Sequence, residues 1–209
     1  RRLVSVALFA AVVVALGLLF LTVPNLELVT MTCFLAGYFL GLRDGVIAAA
    51  VGEGLYSLLN PLGVAAPPML AAQILSVSLA ALAGSLTARR ADALFRLQGS
   101  TAGGRDFSSV PESQAENQFL TTKSWSRLRI AGYFALLGLL LTITFDVLTT
   151  FSFTIFVGST LKVFITSLIF GLPFYLLHIG SNTLIFALVV PITISRLNNF
   201  FEHTLGSRG

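Results

Sequence analysis

The chain has 209 residues, of which 56% are hydrophobic and 11% charged, with a mean hydropathy of +0.89 and a formal net charge of +4. This balance excludes an ordinary soluble domain. Because the basic residues flank apolar segments, contact with anionic membrane lipid accounts for the positive charge and no nucleic-acid partner is needed. Cys33 is the only cysteine, which excludes a disulfide framework and a cysteine-based metal site.

Six apolar segments are predicted to cross a membrane as helices: 3–23, 28–42, 45–59, 69–88, 129–150 and 172–196. The first has 21 residues without a charge, enough to cross about 30 Å of hydrocarbon and too many for the apolar core of a signal peptide. A tight polar turn at 42–45 is expected to join the second and third. The prediction is an all-α, polytopic membrane bundle that forms a single domain over 1–209.

The apolar segment 151–171 is interrupted by Gly158, Ser159 and Lys162, and a seventh span, a re-entrant piece and an interfacial piece are all compatible with it. The placement of basic residues helps to decide. With six spans and a cytoplasmic N-terminus, 12 of the 13 Lys and Arg residues lie inside and only Lys162 lies outside. We therefore predict six spans, both termini in the cytoplasm of a prokaryotic cell, and 151–171 on the outer side of the plasma membrane.

One interval, 89–128, is hydrophilic over most of its length. Its middle is rich in Gly, Ser, Gln and Glu and has no sustained apolar face. It is predicted to be a flexible cytoplasmic linker that separates the first four spans from the last two.

Polar side chains cluster toward the outer ends of the predicted spans, where they could line a pocket open to the outside. The candidate substrate-binding residues are Glu53, Tyr56, Asn60, Gln73, Asp146, Thr149, His178 and Asn182. Aromatic side chains at Phe145, Phe174 and Tyr175 are available for stacking.

Each of these residues also has a structural interpretation. Ser, Thr and Gln often hydrogen-bond between membrane helices without binding any ligand. Glu53 and Asp146 favour function more strongly, because a carboxyl group at membrane depth needs a partner, a proton or a polar ligand. Glu27, in the short outer loop before the second span, is expected to be a solvated carboxylate.

Motifs typical of enzymes are absent from the sequence. There is no HExxH, no GxSxG and no phosphate-binding glycine loop, so neither a catalytic site nor a cofactor or metal site is predicted. Active transport by this chain would have to draw on an ion gradient or on a partner ATPase.

The first predicted span carries alanines at every fourth position, Ala7, Ala11 and Ala15. Such a stripe of small residues allows another helix to approach closely, although alanine is also common in spans for internal packing.

Nearly the whole chain resembles the substrate-binding (S) components of energy-coupling-factor (ECF) vitamin transporters. The resemblance rests on the order of several pieces: Pro24 in the first outer loop, LAGYFLGLRDG, NPLG, PPMLAAQILS, FDVLTT and GLPFYLLHIGSNTLIFALVVP. The linker at 89–128 is longer than is usual in this family.

The resemblance implies a six-helix protein that captures a vitamin or related micronutrient at its outer face. It also implies partners, namely a membrane-embedded T component and two cytoplasmic ATPases that supply the energy. In that family an alanine stripe on the first helix contacts the T component, and Ala7, Ala11 and Ala15 occupy that place here.

Two other functions stay open at the level of sequence. The chain could be an autonomous ion-coupled carrier that uses Glu53 and Asp146, or a membrane scaffold that binds no metabolite. The ligand is not named by the sequence, since riboflavin, thiamine, folate, cobalamin and their precursors all suit a mixed polar and aromatic pocket.

Overall fold

The computed structural model describes residues 2–23, 27–103, 112–157 and 160–205, with the backbone alone described in 91–103, 112–126 and 199–205. Within these residues the fold consists of helices and has no strand. The helices are α1 (Arg2–Leu19), α2 (Val29–Leu40), α3 (Leu42–Leu59), α4 (Pro67–Gly103), α5 (Glu112–Phe156) and α6 (Leu161–Leu205). The prediction of an all-α fold is confirmed.

Four of the described helices contain stretches long and apolar enough to cross a membrane: Arg2–Leu19, Pro67–Arg90, Arg127–Phe156 and Leu161–Asn198. At 12 residues, α2 extends over about 18 Å, well short of the hydrocarbon thickness. Three charged residues, Arg43, Asp44 and Glu53, interrupt the apolar character of α3. A membrane bundle is therefore supported, while the count of six spans stays a prediction.

Helix α2 ends two residues earlier, and α3 begins three residues earlier, than predicted. The chain turns at Gly41, whose φ of 82° is a conformation that glycine adopts without strain. The residues 42–45, predicted to form a turn, are instead the first turn of α3. Asp44 suits that position because a negative charge is favourable near a helix N-terminus.

The apolar segment 151–171 is not a separate element, which corrects the prediction of an additional piece. Its first residues continue α5 to Phe156, and its later residues form the start of α6 from Leu161. Helices α5 and α6 together form a long helical hairpin, whose tip is the segment between Phe156 and Leu161. Gly158 and Ser159 lie outside the described residues, and the outer location of the hairpin tip stays a prediction.

The interval 89–128 is largely helical where it is described, in contrast to the expected flexible linker. The backbone of α4 continues to Gly103 and that of α5 begins at Glu112. Residues 104–111 lie outside the described part of the chain. The cytoplasmic location of this interval is a prediction that the fold leaves open.

Helix α2 lies at the centre of the bundle, with ten of its twelve residues buried. It packs against α1, α3, α4, α5 and α6. Phe34 makes edge-to-face contacts with Phe134 of α5 and Phe186 of α6, at ring-centroid distances of 6.0 and 5.3 Å. Such pairs of aromatic rings stabilise the core beyond the burial of their surface.

Glycines let α2 approach α4 at backbone contact. A Cβ atom placed on Gly84 would lie 1.9 Å from the carbonyl oxygen of Phe34, and one placed on Gly37 would lie 1.8 Å from that of Ala81. Small residues are the usual means by which membrane helices pack this closely. The position of α2, and of the loop that precedes it, therefore depends on these glycines.

Candidate functional site

A histidine held between two carboxyl groups is the centre of the candidate site. His178 Nδ1 lies 2.7 Å from Asp146 Oδ1, and His178 Nε2 lies 3.2 Å from Glu27 Oε1. The same Glu27 oxygen accepts a hydrogen bond of 2.9 Å from the Thr30 hydroxyl. Three separate parts of the chain meet here, namely the residues just before α2, the C-terminal part of α5 and the middle of α6.

Helical periodicity explains how α5 and α6 present these groups to each other. His178 and Asn182 are one turn apart on α6, so they share a face, and both are buried. Asp146 lies on the buried face of α5 that packs against this part of α6. The edge of the Phe145 ring contacts the imidazole of His178 at a centroid distance of 5.6 Å.

Glu27 was expected to be solvated, and this expectation is wrong. Its side chain is only 24% exposed and is bonded to His178 and Thr30. Burial is the largest influence on its pKa and opposes ionisation, but the hydrogen bond and charge of His178, together with Thr30, outweigh it and lower the pKa below the ordinary value. Sequence alone offered a weak signal, a lone acid in a short loop between apolar segments.

Several buried polar atoms have no hydrogen-bond partner among the described residues. At the site they are Asp146 Oδ2 and both amide atoms of Asn182, and elsewhere in α4 and α6 they are Gln73 Oε1 and Thr183 Oγ1. Asn182 is fully buried, at 0% exposure. A buried amide or carboxyl oxygen without a partner costs free energy, so these atoms favour a ligand or an ordered water that satisfies them.

Glu53 of α3 is buried, at 2% exposure, and none of the hydrogen bonds of the histidine cluster involves its carboxyl group. Helix α3 packs against α1, α2 and α4, and no described residue of α3 contacts α5 or α6. The contact between α3 and the hairpin of α5 and α6 is therefore indirect, through α2 and α4.

Three predicted site residues have clear structural contacts instead. The Tyr56 ring packs against Gly17 of α1, where a Cβ atom would lie 2.7 Å from the ring. The side-chain oxygen of Asn60 accepts a hydrogen bond of 2.9 Å from the Leu62 amide just after α3. The Thr149 hydroxyl donates to backbone carbonyls of its own helix. None of these contacts involves the histidine cluster, so their part in binding stays a prediction.

Of the aromatic residues predicted to stack on a ligand, some contact the histidine cluster and others have structural contacts or face outward. Tyr175 hydrogen-bonds through its hydroxyl to Thr150 at 2.6 Å, which joins the C-terminal part of α5 to the N-terminal half of α6. Phe174 is 57% exposed on the outside of the bundle. Of the three aromatic side chains proposed for stacking, Phe145 is the one in contact with His178.

The alanine stripe of α1 lies on the face turned away from the bundle. Ala7, Ala11 and Ala15 are exposed, whereas Ala10 and Val13 are buried against α3 around Gly52. At the N-terminus of α1, the guanidinium of Arg2 pairs with Asp44 in the first turn of α3 and holds the pKa of that carboxyl below its ordinary value. One face of α1 is thus fixed to α3 and the other presents small side chains outward.

The chain was compared with known families, curated proteins and solved structures. A family model described as "ECF transporter, substrate-specific component" matches residues 1–109, which is just over half of the chain. No curated protein and no solved structure matches it. The match covers α1 to α4 and includes Glu27 and Glu53, while Asp146, His178 and Asn182 lie beyond it. This chain belongs to the family of substrate-specific components of ECF transporters.

Proposed function

We propose that this membrane protein captures a vitamin or related micronutrient at the outer face of a prokaryotic plasma membrane. The observation that carries the proposal is the Glu27–His178–Asp146 cluster, with unpartnered atoms of Asp146 and Asn182 beside it. Membrane helices rarely bury so many polar groups without a task. A heterocycle with several hydrogen-bonding atoms would satisfy these groups, and Phe145 offers it an aromatic contact.

The energy for uptake is proposed to come from a T component and two cytoplasmic ATPases. The family to which the chain belongs supports this partnership in general. The exposed stripe at Ala7, Ala11 and Ala15 supports α1 as the contact surface, because small side chains let a partner helix approach closely. The basic residues that flank the predicted spans favour cytoplasmic termini, and this orientation supports an outer position for the histidine cluster.

The alternative function is an autonomous ion-coupled carrier. The burial of Glu53 is the observation that favours it, since a carboxyl group buried in a membrane bundle is suited to taking up and releasing a proton. Under that alternative Glu53 and Asp146 would both be required for transport, and no ATPase would be.

Reconstitution in liposomes separates the two functions. The chain alone, with a proton or sodium gradient, is compared with the chain plus a T component and two ATPases supplied with ATP inside or outside the vesicles. Mass spectrometry of small molecules released from the purified chain identifies the compound to be assayed. Uptake that needs the partners and ATP supports the proposal, and uptake by the chain alone on an ion gradient would overturn it.

A further inference from the structure

The charges around the candidate site are unbalanced. Two carboxyl groups, Glu27 and Asp146, and one imidazole form the cluster. On α6, Lys162 and Arg196 are 16 and 18 residues from His178, which is about 24 and 27 Å along the helix. The segments at 24–26 and 158–159, outside the described residues, contain no Lys or Arg.

The other site-bearing helices show the same separation. Arg129 of α5 is 17 residues from Asp146, about 25 Å along the helix, and Arg43 of α3 is ten residues from Glu53, about 15 Å. An anionic ligand would therefore enter a site that offers it carboxyl groups and no Lys or Arg partner along these helices. Like charges in a medium of low dielectric constant repel strongly, so anionic ligands are disfavoured.

The charge of the histidine cluster does not depend on where its protons lie. Each of the two hydrogen bonds, from Asp146 to His178 and from His178 to Glu27, needs one hydrogen. If both hydrogens are on the imidazole, one positive and two negative groups remain. If one is on a carboxyl group, a neutral imidazole and one carboxylate remain. In each case the three groups together carry one negative charge.

An independent observation favours a polar ligand at this place. Asn182 is fully buried one turn from His178, and neither its amide oxygen nor its amide nitrogen has a partner among the described residues. The second oxygen of Asp146 is likewise buried and unpartnered there. An amide offers a donor beside an acceptor, the pattern that pairs with a ring nitrogen next to an exocyclic amino group.

A metal ion is a poor candidate for the positive group that would balance the negative charge of the cluster. The described residues contain no group of three or more His, Cys, Asp and Glu side chains arranged to hold a metal ion. An organic cation needs no such coordination, because it distributes its charge over a larger surface and can contact the aromatic ring of Phe145 as well.

We propose that the site selects a small organic cation, an amino-substituted nitrogen heterocycle or a similar positively charged nitrogen compound, over neutral and anionic micronutrients. The inference rests on the proposed function, since it names the substrate class of the same site. The cation neutralises the net charge of the Glu27–His178–Asp146 cluster, its donors satisfy Asp146 Oδ2, and its ring pairs with the Asn182 amide.

The first test sorts ligands by charge. The purified chain is titrated at pH 7 with thiamine as a cation, riboflavin as a neutral compound and folate as an anion, within a wider panel of vitamins and precursors grouped in the same way. Thermal stability and calorimetric affinity are measured, and any compound released from the protein is identified by mass spectrometry. We expect the bound compound, and the compounds that stabilise the protein, to be cations.

Each outcome of this test is decisive. A neutral or anionic ligand that binds with higher affinity than every cation overturns the choice of substrate class and leaves the proposed function intact. If no compound is released and none of the panel stabilises the protein, the proposed function fails, and this inference fails with it.

The second test changes the charge of the site. In Asp146→Asn and Glu27→Gln the cluster loses a negative charge while the side-chain shape is kept, and affinity for the bound cation should fall at least tenfold in each variant. Asp44→Asn is the matched control. Asp44 lies in the first turn of α3 and pairs with Arg2, so this variant should bind as the wild type does. Melting without ligand shows whether each variant is folded, and normal cation affinity in both folded site variants would overturn the proposal.

Discussion

Replacing Gly84 with alanine should weaken both the bundle and the site, because Gly84 sets the distance between α2 and α4. The added Cβ atom would lie 1.9 Å from the Phe34 carbonyl oxygen, whereas carbon–oxygen contacts between helices normally lie near 3.3 Å or beyond. The helices must separate by about 1.4 Å locally to admit it. Overpacking of this kind typically costs about 1–3 kcal/mol of stability.

The displacement of α2 should also reach the ligand site. Thr30 is in the first turn of α2 and Glu27 immediately precedes that helix. The hydrogen bond between His178 Nε2 and Glu27 Oε1 is already 3.2 Å long. If Glu27 moves by about 0.7 Å, half of the separation needed between α2 and α4, this hydrogen bond breaks. Loss of a hydrogen bond to a charged group costs about 1.5–3 kcal/mol, which predicts a ten- to hundredfold loss of affinity for the bound compound.

Thermal unfolding in detergent, followed by size-exclusion chromatography, and titration with the co-purified compound measure the two effects. Gly132→Ala is the control, since nothing lies within 4 Å of a Cβ atom placed there and alanine favours the helix. We expect Gly132→Ala to melt at or slightly above the wild-type temperature. If Gly84→Ala melts and binds as the control does, the described contact between α2 and α4 is incorrect.

Three further predictions concern other parts of the molecule. Ala11→Trp on the exposed alanine stripe should abolish assembly with the T component in pull-down experiments and keep the ligand affinity. The control Val12→Leu should leave both assembly and affinity unchanged. Loss of ligand binding with the complex intact would contradict the role of the stripe as the partner contact. Because the pKa of Glu27 is lowered in the folded state, its stabilising contribution should be present above pH 4.5 and lost as the pH falls through the folded pKa. Thermal melts at several pH values should therefore show an acid dependence that Glu27→Gln removes. If the acid dependence is the same in Glu27→Gln, it arises from another group. Deleting 104–111 should not change ligand affinity, since this interval is predicted to lie across the membrane from the site; a large loss of affinity would place the site on the wrong face.

The sequence by itself determined the class of the protein and the elements of its fold. Long apolar segments with few charges leave little choice other than membrane helices, because backbone groups in lipid must be bonded within the segment. The same reasoning singled out Asp146, His178 and Asn182, since polar groups in such segments are costly and helical spacing puts the last two on one face. Composition and spacing are local properties, and these conclusions needed nothing else.

Only the tertiary structure decided which polar groups meet. Glu27 is separated from His178 by 151 residues, and its carboxyl group is shielded only because α2 packs at the centre of the bundle. Asn60 looked equivalent to the other candidates, yet its side-chain oxygen accepts a hydrogen bond from the Leu62 amide in the loop that follows α3. The hairpin of α5 and α6 likewise takes up 151–171: Gly158 and Ser159 mark an interruption in the sequence, but only the structure shows that the residues on either side continue two long helices that end at Phe156 and begin at Leu161. Contacts between distant segments depend on how helices pack, and a linear pattern of polar and apolar residues does not encode that packing directly.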